Sequence, residues 1–256
     1  MLRWRTATAL ILAPVVLGAI ALGGWAVLAL VLIVVALAAH ELSQALRPLP
    51  FPAALGAGVL PVLLSIPYDT EGILVGTLLG LPWALFWLAG KPEARTLRAV
   101  LALLLMAVWI GAPLSLLGLT AELENGVIFV LIAVVGPWVS DAGAYFAGRS
   151  FGRHPLFPSL SPKKTVEGGI GGLVLTVAVV GAVAHWVIGL TPLESVLAGA
   201  AISVFSQSGD LFESVLKRIL DLKDLGNTLP GHGGILDRID SLLFTAPAVY
   251  YILLLV

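Results

Sequence analysis

Residues 126–148 read GVIFVLIAVVGPWVSDAGAYFAG. About 20 mostly apolar residues are enough to cross a bilayer as a helix. This run supplies them almost unbroken, with one carboxylate, Asp141, inside it. An isolated charge at that depth is costly, so Asp141 needs a cation or a polar partner. Tyr145 lies four residues on and shares its helical face.

Outward from this run the chain repeats the pattern. Of its 256 residues 59% are hydrophobic and 11% charged, and mean hydropathy is +1.04. A soluble domain carries about 25% charged residues, so the composition indicates an all-α, polytopic integral membrane protein. About nine spans are expected, at 6–22, 25–46, 52–67, 71–90, 98–119, 126–148, 168–190, 193–219 and 240–256. Gly23-Gly24 makes the first turn a tight hairpin. The opening run MLRWRTATALILAPVV imitates a signal peptide but lacks a convincing cleavage site, so the first helix is expected to be retained. With no internal repeat or linker, residues 1–256 read as one membrane-embedded domain. It comprises N-terminal helices over 1–120 and a C-terminal half over 121–256 that carries most of the polar motifs.

Nine spans sort the charges. All 14 Lys and Arg residues fall on one side, while Asp69, Glu71, Glu122, Glu124 and Glu194 occupy the other. The positive-inside rule makes the basic side cytoplasmic, with the N-terminus inside and the C-terminus outside. Net charge is −1, so bulk charge says nothing about partners; no nucleic acid is expected among them. The chain has no cysteine, which excludes disulfides and thiolate metal sites. Gly72, Gly76 and Gly80, and Gly168 and Gly172, permit close helix crossings, read here as packing within one subunit.

Polar chemistry concentrates in three stretches. On the eighth helix Ser203, Ser206, Asp210, Glu213, Ser214 and Lys217 recur at three- and four-residue steps and lie on one face. The following run KRILDLKDLGNTLPGHGGILDRIDS mixes Lys217, Arg218, Lys223 and Arg238 with acidic residues. Its Gly231, Gly233 and Gly234 let backbone N–H groups approach an anion. His232, between glycines, suits either a phosphate contact or a turn cap. Asp237, Asp240 and Ser241 would open the ninth helix, where first-turn carboxylates can hold a metal. The third stretch carries Arg149 and Arg153, then Ser161, Lys163, Lys164 and Thr165 just before the seventh helix, a candidate phosphate clamp. His40 and Glu41, near the cytoplasmic end of the second helix, read as a polar end cap. His185, alone in an apolar helix, reads as a buried hydrogen bond.

The run S-x-x-K-R-x-x-x-x-K-D-x-G-x-x-L-P-G-H-G-G-x-x-D-R-x-D, Ser214 to Asp240, resembles the signature of phosphatidate cytidylyltransferases, or CDP-diacylglycerol synthases. D-x-G-A-Y-x-x-G-R-x-F-G, Asp141 to Gly152, and S-P-K-K-T-x-E-G, Ser161 to Gly168, resemble the same family. The resemblance covers roughly the C-terminal half. Ala142, Asp221 and Leu225 depart from it, but none of these departures removes a carboxylate or a basic residue.

The resemblance implies a homodimeric membrane enzyme that makes CDP-diacylglycerol and pyrophosphate from CTP and phosphatidate. It also implies Mg²⁺, with room for a second, monovalent cation such as K⁺. It makes Asp210 and Asp237 metal carboxylates, with Asp240 and Asp141 as nearby supporters. Lys217, Arg218, Lys223, Arg238, Lys163 and Lys164 are then assigned to the phosphates. Ser214, Arg149, His232, Gly233 and Gly234 complete the expected substrate contacts, on the cytoplasmic side of the cell membrane. The rivals are another CTP-dependent lipid enzyme, such as a polyprenol kinase or an archaeal-type CDP-lipid synthase, and a secondary transporter or channel. A transporter would place polar groups near the midplane and at both exits, and here the outer halves are nearly pure hydrocarbon.

Overall fold

A computed structural model describes residues 2–46, 49–88, 94–158, 160–229 and 233–255. Helices dominate it: α1 Leu2–Leu22, α2 Gly24–Ala45, α3 Phe51–Leu88, α4 Ala94–Leu105, α5 Ala112–Glu122, α6 Gly126–Phe151, α7 Val166–Val183, α8 Pro192–Ile219, α9 Leu236–Ile239 and α10 Leu242–Leu255. Short π-helical turns, Met106–Gly111 and Ala184–Ile188, join α4 to α5 and extend α7. Five of the described helical stretches are long and apolar enough to cross a membrane: Gly24–Ala45, Phe51–Leu88, Leu97–Glu122, Gly126–Phe151 and Val166–Ile188. Large apolar side chains such as Leu74, Leu78, Val174 and Trp186 stay exposed on their outer faces. Lipid tails satisfy such faces and water does not.

The chain clusters into two compact units, Met1–Glu124 with Lys223–Ile239, and Asn125–Leu222 with Asp240–Val256. In the first unit α2, α3, α4 and α5 pack around Val31, Val35, Ala54, Ala57, Met106 and Ile110, all 2% exposed or less. Gly23 and Gly24 take positive φ in the turn before α2, a region where glycine carries no Cβ penalty. α3 breaks at Asp69, whose φ of 49° and ψ of −131° are not helical. Its two arms then pack against each other. A Cβ on Gly76 would sit 2.6 Å from the Leu60 carbonyl oxygen and from Pro61, and one on Gly72 would overlap the Leu64 carbonyl. The expected segments 52–67 and 71–90 are thus the arms of one helical hairpin.

In the second unit α6, α7, α8 and α10 pack together. The α6–α7 crossing is backbone to backbone. A Cβ on Gly143 would lie 2.7 Å from the Gly171 carbonyl oxygen, and one on Gly172 would lie 2.8 Å from that of Ser140. Between these helices Pro155–Phe157 and Ser161–Thr165 pair as an antiparallel hairpin, β1 and β2. Pro155, Pro158 and Pro162 disfavour helix there, and this hairpin is the two-stranded sheet among the described residues. α8 starts in a capping box: Glu194 Oε2 accepts from the Thr191 N–H at 2.8 Å, and Thr191 Oγ1 accepts from the Glu194 N–H at 3.4 Å. His185 Nδ1 donates to the Leu190 carbonyl at 2.7 Å, closing the turn before α8, though the ring sits on an exposed helix face.

The ninth expected helix differs. Asp237 belongs to the one-turn α9, and the chain breaks at Asp240–Ser241 before α10. Asp240 Oδ1 accepts the Ser241 N–H at 2.7 Å, so the carboxylate turns back on its own backbone at the break. Short acidic side chains favour such local bonds over continued helix.

Candidate active site

In the second unit a cavity of about 440 Å³ opens between α6, the hairpin, the start of α7 and α8. Asp141, Tyr145 and Arg149 line it from α6, Lys163, Lys164 and Thr165 from β2, Gly168 and Gly169 from α7, and Gln207 and Asp210 from α8. Two carboxylates and three cations therefore share one polar recess in an otherwise apolar bundle.

Each member is held from behind. Thr165 caps α7, its Oγ1 accepting the Gly168 N–H at 3.1 Å. Glu167, in the first turn of α7, accepts the N–H groups of Arg153 at 3.1 Å and His154 at 3.3 Å. Its other oxygen meets the His154 ring 2.6 Å away. One carboxylate thereby pins the chain leaving α6 to the helix that follows the hairpin, which fixes where Lys163 and Lys164 stand. Arg149 Nη1 donates to Tyr145 Oη at 3.1 Å, one turn along α6.

α8 brings the opposite wall. Ser203 and Ser140 share a buried hydrogen bond at 3.2 Å. Gln207 Nε2 donates to Ser203 Oγ at 3.0 Å and to the Gly169 carbonyl at 3.2 Å. Gly209 lets α8 lie against the α9–α10 break, since a Cβ there would sit 2.5 Å from the Asp240 carbonyl. Asp210 follows, and Lys164 Nζ lies 2.5 Å from its Oδ2. The carboxylates of Asp141 and Asp240 both feel the charge of Asp210, and Asp240 also feels that of Asp141. Three like charges therefore share one region, with Lys164 and Lys217 among the compensating cations.

The remaining residues singled out on sequence fall in two places. Further along α8, Glu213 and Lys217 pair at 2.6 Å, Ser214 is half-buried, and the Arg218 guanidinium donates twice to the Leu160 carbonyl at 3.4 Å. Arg218 thus braces the hairpin in this structure. The others lie in the first unit, on Lys223–Ile239. There Lys223 and Arg238 are exposed, and Gly233, at φ 80°, bridges to Leu229. Asp237 accepts the N–H groups of Gly234 at 2.7 Å and Leu225 at 3.4 Å. His232 lies outside the described residues.

Two further polar residues shape the local geometry. Gln207 follows Ser203 by four and precedes Asp210 by three, so the face that selected its neighbours also selects it. Glu41, read as an end cap, is 1% exposed and bonded to Thr228, Ile235 and Leu236. No local spacing announces a partner nearly two hundred residues away.

The profile of the Cytidylyltransferase family matches residues 3–256. A phosphatidate cytidylyltransferase of Bacillus subtilis is 47% identical over 135 residues, 52% of this chain and 49% of that protein. One of Mycobacterium bovis is 34% identical over 244 residues, covering 89% and 80% of the two chains. One of Synechocystis is 34% identical over 269 residues, covering 91% and 90%.

Proposed function

This chain belongs to the cytidylyltransferase family, and from that premise we propose that it transfers the cytidylyl group of CTP to phosphatidate, giving CDP-diacylglycerol and pyrophosphate. The observation that carries the reading is the recess of Asp141 and Asp210 beside Arg149, Lys163 and Lys164. Opposed charges set together in a membrane bundle suit polyphosphate and lipid phosphate.

A phosphate monoester has its second pKa near ~6 and is largely dianionic at neutral pH, so the attacking oxygen needs no strong base. It attacks the α-phosphorus of CTP, the new P–O bond forming as the bond to pyrophosphate breaks in line. Two anions must meet, so positive charge and orientation are the requirement. Lys163, Lys164 and Arg149 face the recess and are assigned to substrate phosphates. Lys217, Arg218, Lys223, Arg238, Ser214, Gly233, Gly234 and His232 join them on the motif resemblance.

Carboxylate oxygens are the donors Mg²⁺ prefers, and that ion is usually bound by one or two carboxylates plus substrate phosphates rather than by a full protein cage. Among the described residues no group of three His, Cys, Asp or Glu that could hold a metal ion is gathered. Asp210 would hold the ion, with Asp141 and Asp240 supporting, and Asp237 enters the set on the resemblance alone. When bound, the ion supplies charge neutralisation across the triphosphate. A monovalent cation such as K⁺ and a homodimer are proposed on the resemblance alone.

Nine spans, a cytoplasmic N-terminus and a site on the cytoplasmic face of the cell membrane complete the proposal, supported by the one-sided placement of all 14 basic residues. Purified protein given labelled CTP and phosphatidate is expected to yield labelled CDP-diacylglycerol and pyrophosphate. Release of CDP would indicate a lipid kinase instead, and intact CTP would remove the enzyme reading. Asp210→Asn is expected to lower turnover at least ~100-fold while the protein still inserts.

A further inference from the structure

Glu41 sits near the end of α2, outside every stretch that resembles the family signature. Its carboxylate is buried at 1% exposure, and four donors converge on it. Oε1 accepts the Ile235 N–H at 2.8 Å, the Thr228 N–H at 3.4 Å and the Thr228 hydroxyl. Oε2 accepts the Leu236 N–H at 3.0 Å. One side chain thus bonds both Thr228 and the backbone of Ile235 and Leu236, which directly follows Gly233 and Gly234. Leu236 immediately precedes Asp237.

The glycines say the same from the other side. A Cβ on Gly226 would overlap the Glu41 carboxyl, meeting only atoms of that side chain among its three nearest. A Cβ on Gly234 would lie 2.6 Å from Glu41 Oε2 and 2.9 Å from Asp237 Oδ2. Gly234 also gives its N–H to Asp237 Oδ2 at 2.7 Å. Read on sequence, Gly234 lets its backbone N–H approach an anion. In the structure Gly226 and Gly234 clear room for a carboxylate of the protein itself.

We propose that Glu41 is a positioning residue for the reaction: it clamps Thr228 to Ile235 and Leu236, and so sets the backbone that presents Gly233, Gly234 and Asp237. The proposal rests on the reading that this segment serves cytidylyl transfer. It gives the N-terminal half, otherwise plain apolar helices, a specific part in holding this segment. A buried carboxylate bonded to backbone N–H groups also cannot be exchanged for a neutral side chain without stranding donors.

The test uses the full-length protein in detergent. Lys223 and Arg238 are exposed and flank the segment, so the rate of tryptic cleavage at these two sites, read by fragment mass, reports its order whatever the reaction. Glu41→Ala and Gly226→Ala are each expected to speed that cleavage roughly tenfold, the factor for one hydrogen bond's worth of stability at about 1.4 kcal/mol. The double variant should be no faster than Glu41→Ala, because the three atoms nearest the added methyl all belong to the Glu41 side chain and are then gone. For CDP-diacylglycerol formation, Glu41→Ala should lower kcat about 100-fold, the cost of misplacing a site by ~1 Å. Glu41→Gln keeps an acceptor toward Thr228 and Ile235 and should recover to within about tenfold of wild type.

If Glu41→Ala fails to insert, Thr228→Val, which removes only the hydroxyl donor, carries the same expectation in smaller degree. Unchanged cleavage in these variants, or additive effects in the Glu41–Gly226 pair, overturns the clamp. Faster cleavage with wild-type kcat overturns the positioning role. A wild type that makes no CDP-diacylglycerol overturns the proposed function and the positioning role with it, while the cleavage rates still judge the clamp.

Discussion

Lys164 and Asp210 face each other at 2.5 Å, each side chain about a third exposed. A pair so open to solvent adds little to stability, about 0–1 kcal/mol, so its placement speaks for chemistry rather than for folding. Lys164→Met is therefore expected to leave the melting temperature nearly unchanged while kcat/KM for CTP falls roughly 10–100-fold, measured by steady-state assay. A loss of melting temperature in step with activity would make the pair structural. Sequence spacing alone found Asp210, because a carboxylate on an apolar helix face is conspicuous. It found Lys163 and Lys164 only as a loop run before a helix. It could not show that Lys164 reaches Asp210, since the hairpin that turns the lysine inward depends on Glu167 holding Arg153 and His154. Glu41 stayed hidden for the same reason. Its donors are backbone amides remote in sequence, and amides leave no mark in a residue pattern.

At the scale of elements the recess is a junction of helix ends. β1 and β2 are too short to stand alone, since an isolated two-stranded hairpin is marginal in water. They are held by Glu167 at one edge and by Arg218, which donates to the Leu160 carbonyl, at the other. Glu167→Ala should loosen the hairpin and raise KM for CTP several-fold more than it lowers kcat, because phosphate contacts would be lost in ground and transition states alike. A fall in kcat with unchanged KM would contradict this. α8 offers the control. Its capping box at Thr191 and Glu194 lies at the end of the helix away from Asp210. Thr191→Ala is expected to cost about 1 kcal/mol of stability, seen as a lower melting temperature, with turnover at the same temperature unaffected. The helices themselves were legible, because long apolar runs admit few alternatives. The break between α9 and α10 was not, because the spacing of Asp237, Asp240 and Ser241 is helical. Only the Asp240 side chain bonding its own neighbour's N–H shows where the helix stops.

For the molecule as a whole, the absence of cysteine makes the side on which each helix end lies directly measurable. Single cysteines can be placed without any background thiol and labelled by a maleimide that does not cross the membrane. Glu124 lies just before α6 and Ser150 in its last turn, and both are exposed. The 26 residues of α6 extend about 39 Å at 1.5 Å each, longer than a hydrocarbon core of about 30 Å. Glu124→Cys should therefore react in intact cells and Ser150→Cys only after permeabilisation. Thr70, exposed beside the Asp69 break in α3, decides the count. With three crossings before it and a cytoplasmic N-terminus, Thr70→Cys reacts from outside, on the same side as Glu124→Cys. If it reacts only from inside, the arms of α3 do not each cross, the basic residues no longer sort to one face, and the recess loses its assigned side. The same segregation that puts Lys163 and Lys164 toward cytoplasmic nucleotide would then have to be abandoned with it. The labelling of one threonine position thus bears on the substrate reading as directly as on the topology.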